Sequence, residues 1–191
     1  VYTSDPIEPV NRFSLRLTKA ALDYVVEPLA LGYRAVIPEP AREAIGRFSY
    51  NLTFPDRFVS LLLQGRGKDG AEETGRFLMN STVGLLGLFD PAKRAGLDTF
   101  PEDVGQAFGH WGVPPGPYVF LPLLGPSNAR DTFGRVFDTA LDPSTYFTGA
   151  TLALGFNSFS LRVDDYRDLS AAEADWYMPI RTYWAIRREA E

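Results

Sequence analysis

Apolar side chains recur at helical spacing along most of the chain, and prolines and glycines separate the predicted helices. The first helix carries Val10, Phe13, Leu17 and Tyr24 on one face and is expected to end before Pro28. Later helices are predicted to begin after Pro38 and Pro40, at Pro55, between Asp69 and Glu72, at an N-cap Ser127, near Leu152 and at the capping box Ser170-x-x-Glu173. Strand-like alternation is scarce, so the pattern predicts a mostly α, single domain of short amphipathic helices over residues 1–191.

The sequence allows more specific predictions for three of these helices. The helix that begins near Asp69 should continue through residues 77–89 and end at Asp90-Pro91. The helix after Ser127 should turn an apolar face inward, namely Ala129, Phe133, Val136, Phe137 and Ala140. The last helix should be interrupted or bent at Pro179, because proline removes an amide donor from the helix interior.

The stretch from Gly105 to Ala129 is 25 residues without Asp, Glu, Lys or Arg, and it contains five glycines and five prolines. Its length suggests a membrane span, but this many prolines cannot sit in one continuous transmembrane helix. Trp111, Tyr118, Phe120 and Leu124 still require apolar surroundings. The stretch is therefore predicted to be a rigid, apolar, non-helical ribbon packed against other elements.

Two further runs lack charge, residues 77–89 and residues 143–161. The first is too short to cross a bilayer, which needs about 20 helical residues, and the second contains many serines and threonines. Either run could lie within one leaflet of a membrane, or both could be core helices. Length alone favours the core.

Composition excludes several classes of protein. Hydrophobic residues make up 45% of the chain, so it is not disordered, and the net charge of −5 argues against a nucleic-acid partner. It also argues against electrostatic attraction to anionic lipid, so any membrane contact should be hydrophobic or covalent. The chain has no cysteine, which removes disulfides and thiol nucleophiles.

The sequence contains few residues that could form a catalytic site. His110 is the only histidine, and there is no Gly-x-Ser-x-Gly sequence to supply a nucleophile for a Ser/His/Asp triad. Set between Gly109 and Trp111, His110 is expected to make a structural hydrogen bond rather than to act in catalysis. One histidine cannot supply a zinc site. We therefore predict no enzyme, no metal and no cofactor.

Polar side chains on an otherwise apolar helix are of more interest. Thr74, Asn80, Ser81 and Thr82 must meet a partner, water or a channel, because burying them without a hydrogen bond is costly. Gly84 and Gly87 admit two interpretations: close packing of backbones, or a kink that lets a short apolar helix turn back within a leaflet.

Four landmarks occur in order along the chain and give it a family resemblance. They are residues 5–13 (Asp-Pro-Ile-Glu-Pro-Val-Asn-Arg-Phe), residues 38–42 (Pro-Glu-Pro-Ala-Arg), residues 76–90 around Asn-Ser-Thr-Val-Gly, and residues 109–131 from Gly-His-Trp-Gly to Asn-Ala-Arg-Asp. Together they resemble the VacJ/MlaA family of lipoproteins, found in the outer membrane of Gram-negative bacteria. The motif residues that carry the resemblance are Asp5, Pro6, Asn11, Phe13, Gly109, Trp111, Gly112, Gly116, Pro117, Tyr118, Pro122, Gly125, Arg130 and Asp131.

The resemblance implies a ring of helices embedded in the inner, periplasm-facing leaflet of the outer membrane, with an amphipathic pore through its middle. It implies retrograde phospholipid transport, in which mislocalised lipid is removed from the outer leaflet and passed to a periplasmic lipid-binding carrier. It also implies association with an outer-membrane porin trimer, and a lipid anchor on a cysteine that is not in this sequence. The residues expected to line the pore or bind lipid are Thr74, Phe77, Asn80, Ser81, Thr82, Gly84, Leu85, Gly87 and Tyr118.

Two other functions remain open. The protein could be a scaffold that binds porins without moving lipid, or a lipid-modifying enzyme that uses His110.

Overall fold

The chain folds into a succession of short helices with one small β-hairpin. The structure is a computed structural model and describes residues 5–172 and 175–190. The helices are α1 (Glu8–Ala21), α2 (Glu27–Val36), α3 (Glu39–Leu52), α4 (Phe54–Leu63), α5 (Gly67–Thr82), α6 (Pro91–Arg94), α7 (Val104–His110), α8 (Ala129–Leu141), α9 (Ala150–Ser160), α10 (Val163–Ala172) and α11 (Tyr177–Ala190). The strands β1 (Tyr118–Leu121) and β2 (Gly125–Asn128) pair antiparallel, with Tyr118 opposite Asn128 and Leu121 opposite Gly125. The predicted mostly α fold is confirmed.

Helix α1 ends at Ala21, before Pro28 as predicted, but the chain stays helical beyond it. A π-helical turn, Leu22–Val26, joins α1 directly to α2. There the amide of Glu27 bonds to the carbonyl of Leu22, five residues earlier. Pro28 then falls in the first turn of α2, directly after the wider π-helical turn.

The helix from Gly67 ends at Thr82 and does not continue through residue 89, as the sequence had predicted. Beyond it the chain turns, with left-handed φ values at Leu85 (51°), Leu86 (61°) and Gly87 (95°). The amides of Leu86 and Gly87 bond back to the carbonyls of Ser81 and Asn80, which satisfies the end of α5. We call residues 83–89 the apolar turn.

The glycine-rich stretch is helical in part, which corrects the prediction of a wholly non-helical ribbon. Its first residues belong to α7, because Asp103 caps that helix by accepting from the amide of Gln106 at 2.8 Å. The first proline of this stretch is Pro114, and from Trp111 to Pro117 the chain is irregular. The β-hairpin that follows was not predicted, since Pro122 and Pro126 obscure any alternation.

The helix after the hairpin is capped by Asn128 and not by Ser127. The Asn128 side chain accepts from the amide of Asp131 at 2.7 Å. Close packing of α7 on α8 depends on glycine, because a Cβ at Gly134 would lie 2.5 Å from the backbone nitrogen of Gly105. The buried residues of α8 are Asp131 and Gly134, so the prediction that its phenylalanines face inward was wrong.

Near the C-terminus two predictions fail. Ser170 lies inside α10 rather than at a helix start, and Glu173 lies outside the described residues. Helix α11 begins at Tyr177, so Pro179 falls in its first turn and does not interrupt it.

An aromatic core joins the two ends of the chain. Leu15 from α1, Tyr118 and Phe120 from β1, and Trp176 and Tyr177 at the start of α11 are buried together. The Tyr118 and Tyr177 rings meet edge to face, with their centroids 6.1 Å apart. This core fixes the hairpin between α1 and α11.

Candidate functional site

Several elements bury polar side chains and expose large apolar ones. On α1, Asn11, Ser14 and Thr18 are buried, whereas Phe13 is 66% exposed and Leu17 is 51% exposed. The amphipathic face predicted for this helix exists, but it faces outward. The physical reason is that helical spacing fixes which residues share a face and leaves open which solvent that face meets.

The same inversion recurs in other elements. Phe133 on α8 is 60% exposed, and the apolar turn exposes Leu85 and Leu86 while burying Gly84 and Gly87. We refer to these large outward-facing side chains as the exposed apolar set: Val10, Phe13, Leu17, Tyr24, Val83, Leu85, Leu86, Phe89, Leu123, Leu124, Phe133, Val136 and Leu152. Among the described residues, no helix has both the length and the apolar character to traverse a bilayer.

Several of the buried polar groups pair with one another across helices. Arg57 on α4 pairs with Glu73 on α5 at 2.7 Å, and both side chains are almost fully buried. The Arg57 guanidinium also lies 3.7 Å from the centre of the Tyr50 ring. Removing one partner of such a pair would leave a buried charge, which is strongly destabilising. The polar interior is therefore part of the folded framework.

The predicted pore-lining side chains on α5 are engaged within this framework. Asn80 donates to Asp90 at 3.1 Å and accepts from the amide of Ala92 at 3.1 Å, so it ties α5 to α6. Ser81 accepts from the Asn51 amide group at 2.9 Å. The hydroxyls of Thr74 and Thr82 bond to carbonyls one turn earlier in the same helix. These bonds give each group a partner without a channel, and the lining role stays a prediction.

The other predicted lining residues lie in varied surroundings. Phe77 stacks on Phe54 with ring centroids 4.3 Å apart, and Tyr118 is buried in the aromatic core. Gly84 and Gly87 allow close approach of backbones: a Cβ at Gly87 would lie 2.4 Å from Cβ of Asn51. For Gly87 the packing interpretation therefore holds, and its left-handed φ of 95° supports the turn as well.

The first family landmark is in direct contact with the last. The Asn11 side chain donates to the carbonyl of Tyr118 at 3.1 Å and accepts from the amide of Phe120 at 2.8 Å. It also donates to Asp5 at 2.8 Å, and Asp5 in turn accepts from the Tyr177 hydroxyl. Asn11 thus satisfies the open edge of β1 and locks the hairpin onto α1.

The remaining motif residues form turns and a charged cluster. Gly112, Gly116 and Gly125 have left-handed φ values, and Gly109 gives room for the guanidinium of Arg130, whose Nη1 would lie 2.5 Å from an added Cβ. Arg130 bonds to Asp131 at 2.8 Å. Gly112 and Gly116 are exposed, as are Pro6, Phe13, Trp111 and Pro122, and Pro117 is half-buried. The Trp111 ring nitrogen donates to the carbonyl of Leu63 at 2.8 Å.

A buried charge network ties α7, α8 and α11 together. Arg188 bonds to Asp131 at 2.7 Å and to both oxygens of Asp103 at 2.8 and 2.9 Å. Burial acts to raise the pKa of Asp103, but the hydrogen bonds and charge of Arg188 outweigh it and hold that pKa below its usual value. The Arg188 guanidinium is therefore bound by the carboxylates of Asp103 and Asp131.

Two adjoining cavities border this network. The inner cavity, about 240 Å³, is lined by Asp103, Pro126, Ser127, Asp131, Arg135, Asp138, Trp184 and Arg188. The outer cavity, about 420 Å³, is lined by Leu124, Pro126, Arg135, Arg162, Trp184, Arg187 and Arg188. Pro126, Arg135, Trp184 and Arg188 border both, so we treat them as one amphipathic passage with a mixed-charge inner part and an arginine-rich outer part.

The sequence-based prediction missed this passage almost completely. Of the predicted site residues only Asp131 lines either cavity, while Arg135, Arg162, Trp184 and Arg187 were not singled out. These residues come from α8, the segment between α9 and α10, and α11, and no spacing along the chain connects them. The only sign of such a site in the sequence was that several arginines lie outside the helices that are rich in Asp and Glu.

His110 offers little to a catalytic function. It lies at the exposed end of α7, and its side chain makes no hydrogen bond to the residues that the structure describes. The expected structural hydrogen bond is therefore not found.

Comparison with known proteins identifies the family. A model described as MlaA lipoprotein matches residues 3–191. The chain belongs to the MlaA lipoprotein family. The resemblance noted from the four landmarks is confirmed, and the order and spacing of those landmarks were sufficient to detect it.

Relatives in the MlaA family cover the chain in different degrees. An uncharacterised protein of Rickettsia felis is 34% identical over 194 residues, which is 97% of this chain and 77% of that protein. The intermembrane phospholipid transport system lipoprotein MlaA of Escherichia coli is 37% identical over 139 residues, 71% of this chain and 55% of that lipoprotein. A solved structure described as the structural basis for maintenance of bacterial outer membrane lipid asymmetry matches with a TM-score of 0.81, 32% identity and 96% coverage of both chains.

Proposed function

We propose that this protein is an outer-membrane component of a phospholipid transport system that maintains lipid asymmetry. The observation that carries the proposal is the inverted polarity of the fold, in which the exposed apolar set surrounds a polar interior that contains the amphipathic passage. Relatives named as lipoproteins of an intermembrane phospholipid transport system, and the matched structure described for lipid asymmetry, support it.

The proposed placement is in the inner, periplasm-facing leaflet of the outer membrane. The exposed apolar set would contact acyl chains, since transfer of such side chains from water to hydrocarbon is favourable. Short helices can lie within one leaflet without crossing it. A lipid anchor on a cysteine outside this sequence would add to the membrane affinity.

Transport in this proposal needs no covalent chemistry. A phospholipid headgroup would move through the polar passage while its tails stay in apolar surroundings at the exposed apolar set. The α5 residues Thr74, Asn80, Ser81 and Thr82 would support the wall around it. The lipid would come from the outer leaflet and leave to a periplasmic carrier, and association with a porin trimer would hold the protein in place.

The test is the lipid composition of the outer leaflet in the native bacterium with and without this gene. We expect surface-exposed phospholipid to accumulate on deletion and to fall when the full-length lipidated protein is restored. An unchanged outer leaflet, with the protein present in the membrane, would contradict the proposal.

A scaffold that binds porins without moving lipid is the second candidate, because the exposed apolar set would also suit a protein contact in the membrane. Variants that narrow the passage separate the two. If they bind porin and fold normally and lipid asymmetry stays intact, the scaffold function is favoured.

A further inference from the structure

The outer part of the passage is lined by positively charged side chains. None of the residues that line the outer cavity is acidic, and four of them are arginines. Of these four, Arg188 is held by Asp103 and Asp131. Within residues 5–172 and 175–190, neither Arg135 nor Arg162 forms a salt bridge.

The two guanidiniums are available to a ligand. The only hydrogen bond of the Arg135 side chain to a described residue is a long one of 3.5 Å to the carbonyl of Leu124, and the Arg162 side chain is exposed. A guanidinium presents a planar fork of donors that matches the oxygens of a phosphate. Two such groups around one cavity, in a protein whose net charge is −5, make a local site for an anion.

The rest of the cavity wall is apolar. Trp184, Pro126 and Leu124 complete the lining, and the hairpin tip beside Arg135 exposes Leu123 (66%) and Leu124 (65%). A volume of about 420 Å³ suits a phosphate-bearing headgroup with its glycerol. It is too small for acyl chains in addition, which would lie along the leucines of the hairpin tip.

We propose that Arg135 and Arg162 form a phosphate-binding site at the mouth of the passage that prefers anionic glycerophospholipids over zwitterionic ones. The preference follows from charge. A headgroup that carries an ammonium beside its phosphate brings a cation into an arginine-lined cavity, whereas a glycerol headgroup does not. This proposal names the substrate class of the proposed transport function and rests on it.

The test compares phosphatidylglycerol with phosphatidylethanolamine of the same acyl chains, offered together to the purified full-length protein in nonionic detergent. The ratio of the two lipids bound, measured by native mass spectrometry, should favour phosphatidylglycerol by about tenfold or more, because both lipids offer the same phosphate and only phosphatidylethanolamine brings an ammonium among the arginines. The double variant Arg135→Gln with Arg162→Gln should bring the ratio close to one.

Two further variants make the result specific. Arg94→Gln removes an exposed arginine on α6 that lines neither cavity, and it should leave the ratio unchanged. Arg135→Lys with Arg162→Lys keeps the charge but loses the fork, so it should retain part of the preference. Thermal unfolding of every variant in the same detergent identifies any that fail to fold, and the single glutamine variants then carry the test.

Three outcomes would overturn the site. They are equal binding of the two lipids by the unaltered protein, a double variant that folds and keeps the preference, and displacement of phosphatidylglycerol by inorganic phosphate at the same concentration as by the lipid itself. The last would make free phosphate the ligand.

Failure of the site and failure of the transport function give different results. If the lipid ratio depends on the two arginines but outer-leaflet phospholipid does not depend on the gene, the site stands and the transport proposal falls. If the gene controls outer-leaflet phospholipid but the ratio is near one, transport stands and the site falls.

Discussion

Two half-buried carboxyl groups, Asp56 on α4 and Asp138 on α8, influence each other electrostatically, and Asp138 lines the inner cavity. Burial, followed by the charge of Asp138, raises the pKa of Asp56 to about 8, and burial also raises the pKa of Asp138. Asp103 adds further negative charge, while Arg57 and Arg135 oppose the shifts. The raised pKa values favour the protonated form of Asp56 at neutral pH.

This pair predicts a decrease in stability with rising pH. In the unfolded chain Asp56 ionises near its reference pKa of 3.8, whereas in the folded protein it keeps its proton up to about pH 8. The stabilisation is therefore full below about pH 4 and is lost as the pH rises towards 8. Between pH 4 and pH 8 the free energy of unfolding should fall by at least about 1.4 kcal/mol, the equivalent of one pKa unit. Asp56→Asn should remove this dependence of the unfolding free energy on pH.

Urea unfolding in nonionic detergent between pH 4 and pH 8 measures the slope. The control is Asp98→Asn, which removes an exposed carboxyl outside the pair and should keep the slope of the unaltered protein. Because other carboxyls also titrate, the informative quantity is the difference between each variant and the unaltered chain. A slope in Asp56→Asn equal to that of the unaltered chain would show that the pair is not the cause.

At the scale of elements, the apolar turn depends on one glycine. Gly87 has a left-handed φ of 95°, and an added Cβ would lie 2.4 Å from Cβ of Asn51. Gly87→Ala should therefore destabilise the protein by about 1–3 kcal/mol, from backbone strain together with displacement of Asn51. Asn51 also donates to Ser81, so the end of α5 should loosen with it.

The matched control is Gly32→Ala on α2, where an added Cβ meets nothing within 4 Å and the helix interior favours alanine. It should be neutral or stabilising by up to about 1 kcal/mol. Thermal unfolding and amide hydrogen exchange over residues 83–89 report the two effects. Equal stability of the two variants would mean that the turn tolerates a side chain at position 87.

The elements that the sequence predicts well are those set by local chemistry. Pro55 lies in the first turn of α4, as expected, because proline restricts its own backbone to a helical φ. The first helix ends before Pro28, as expected, but the π-helical turn that joins it to α2 was not predicted. Leu85 and Leu86 in left-handed conformations give no local signal, because β-turn chemistry normally calls for glycine or asparagine there.

The candidate site was harder to predict for a different reason. Helical spacing on α1 correctly groups Val10, Phe13 and Leu17, yet their outward orientation depends on the surrounding solvent, which the pattern does not encode. Arg135 and Arg162 meet at one cavity only after α8, α9 and α11 have packed. The family landmarks were recognisable because each is a contiguous run of residues, and in the fold the first and last of them are in contact through Asn11.

At the scale of the whole molecule, the inverted polarity has a direct consequence for membrane binding. The exposed apolar set costs free energy in water, and burying one such phenylalanine in hydrocarbon recovers about 1.5–3 kcal/mol. Phe13, two-thirds exposed on α1, lies on the opposite side from the buried Asn11 and Thr18, so replacing it leaves the interior contacts intact. Phe13→Asp should therefore weaken association with lipid vesicles by about tenfold or more, with little change in folding.

Co-flotation of the unlipidated chain with zwitterionic vesicles measures this association without the anchor. The matched control is Thr99→Asp, which introduces the same charge at an exposed polar position outside the exposed apolar set. If the two variants float equally well, Phe13 does not enter the lipid, and the outward apolar face of α1 must be covered by another protein instead. If only Phe13→Asp is lost from the vesicle fraction, the face of α1 that is apolar in sequence and exposed in the fold is the face that the membrane covers.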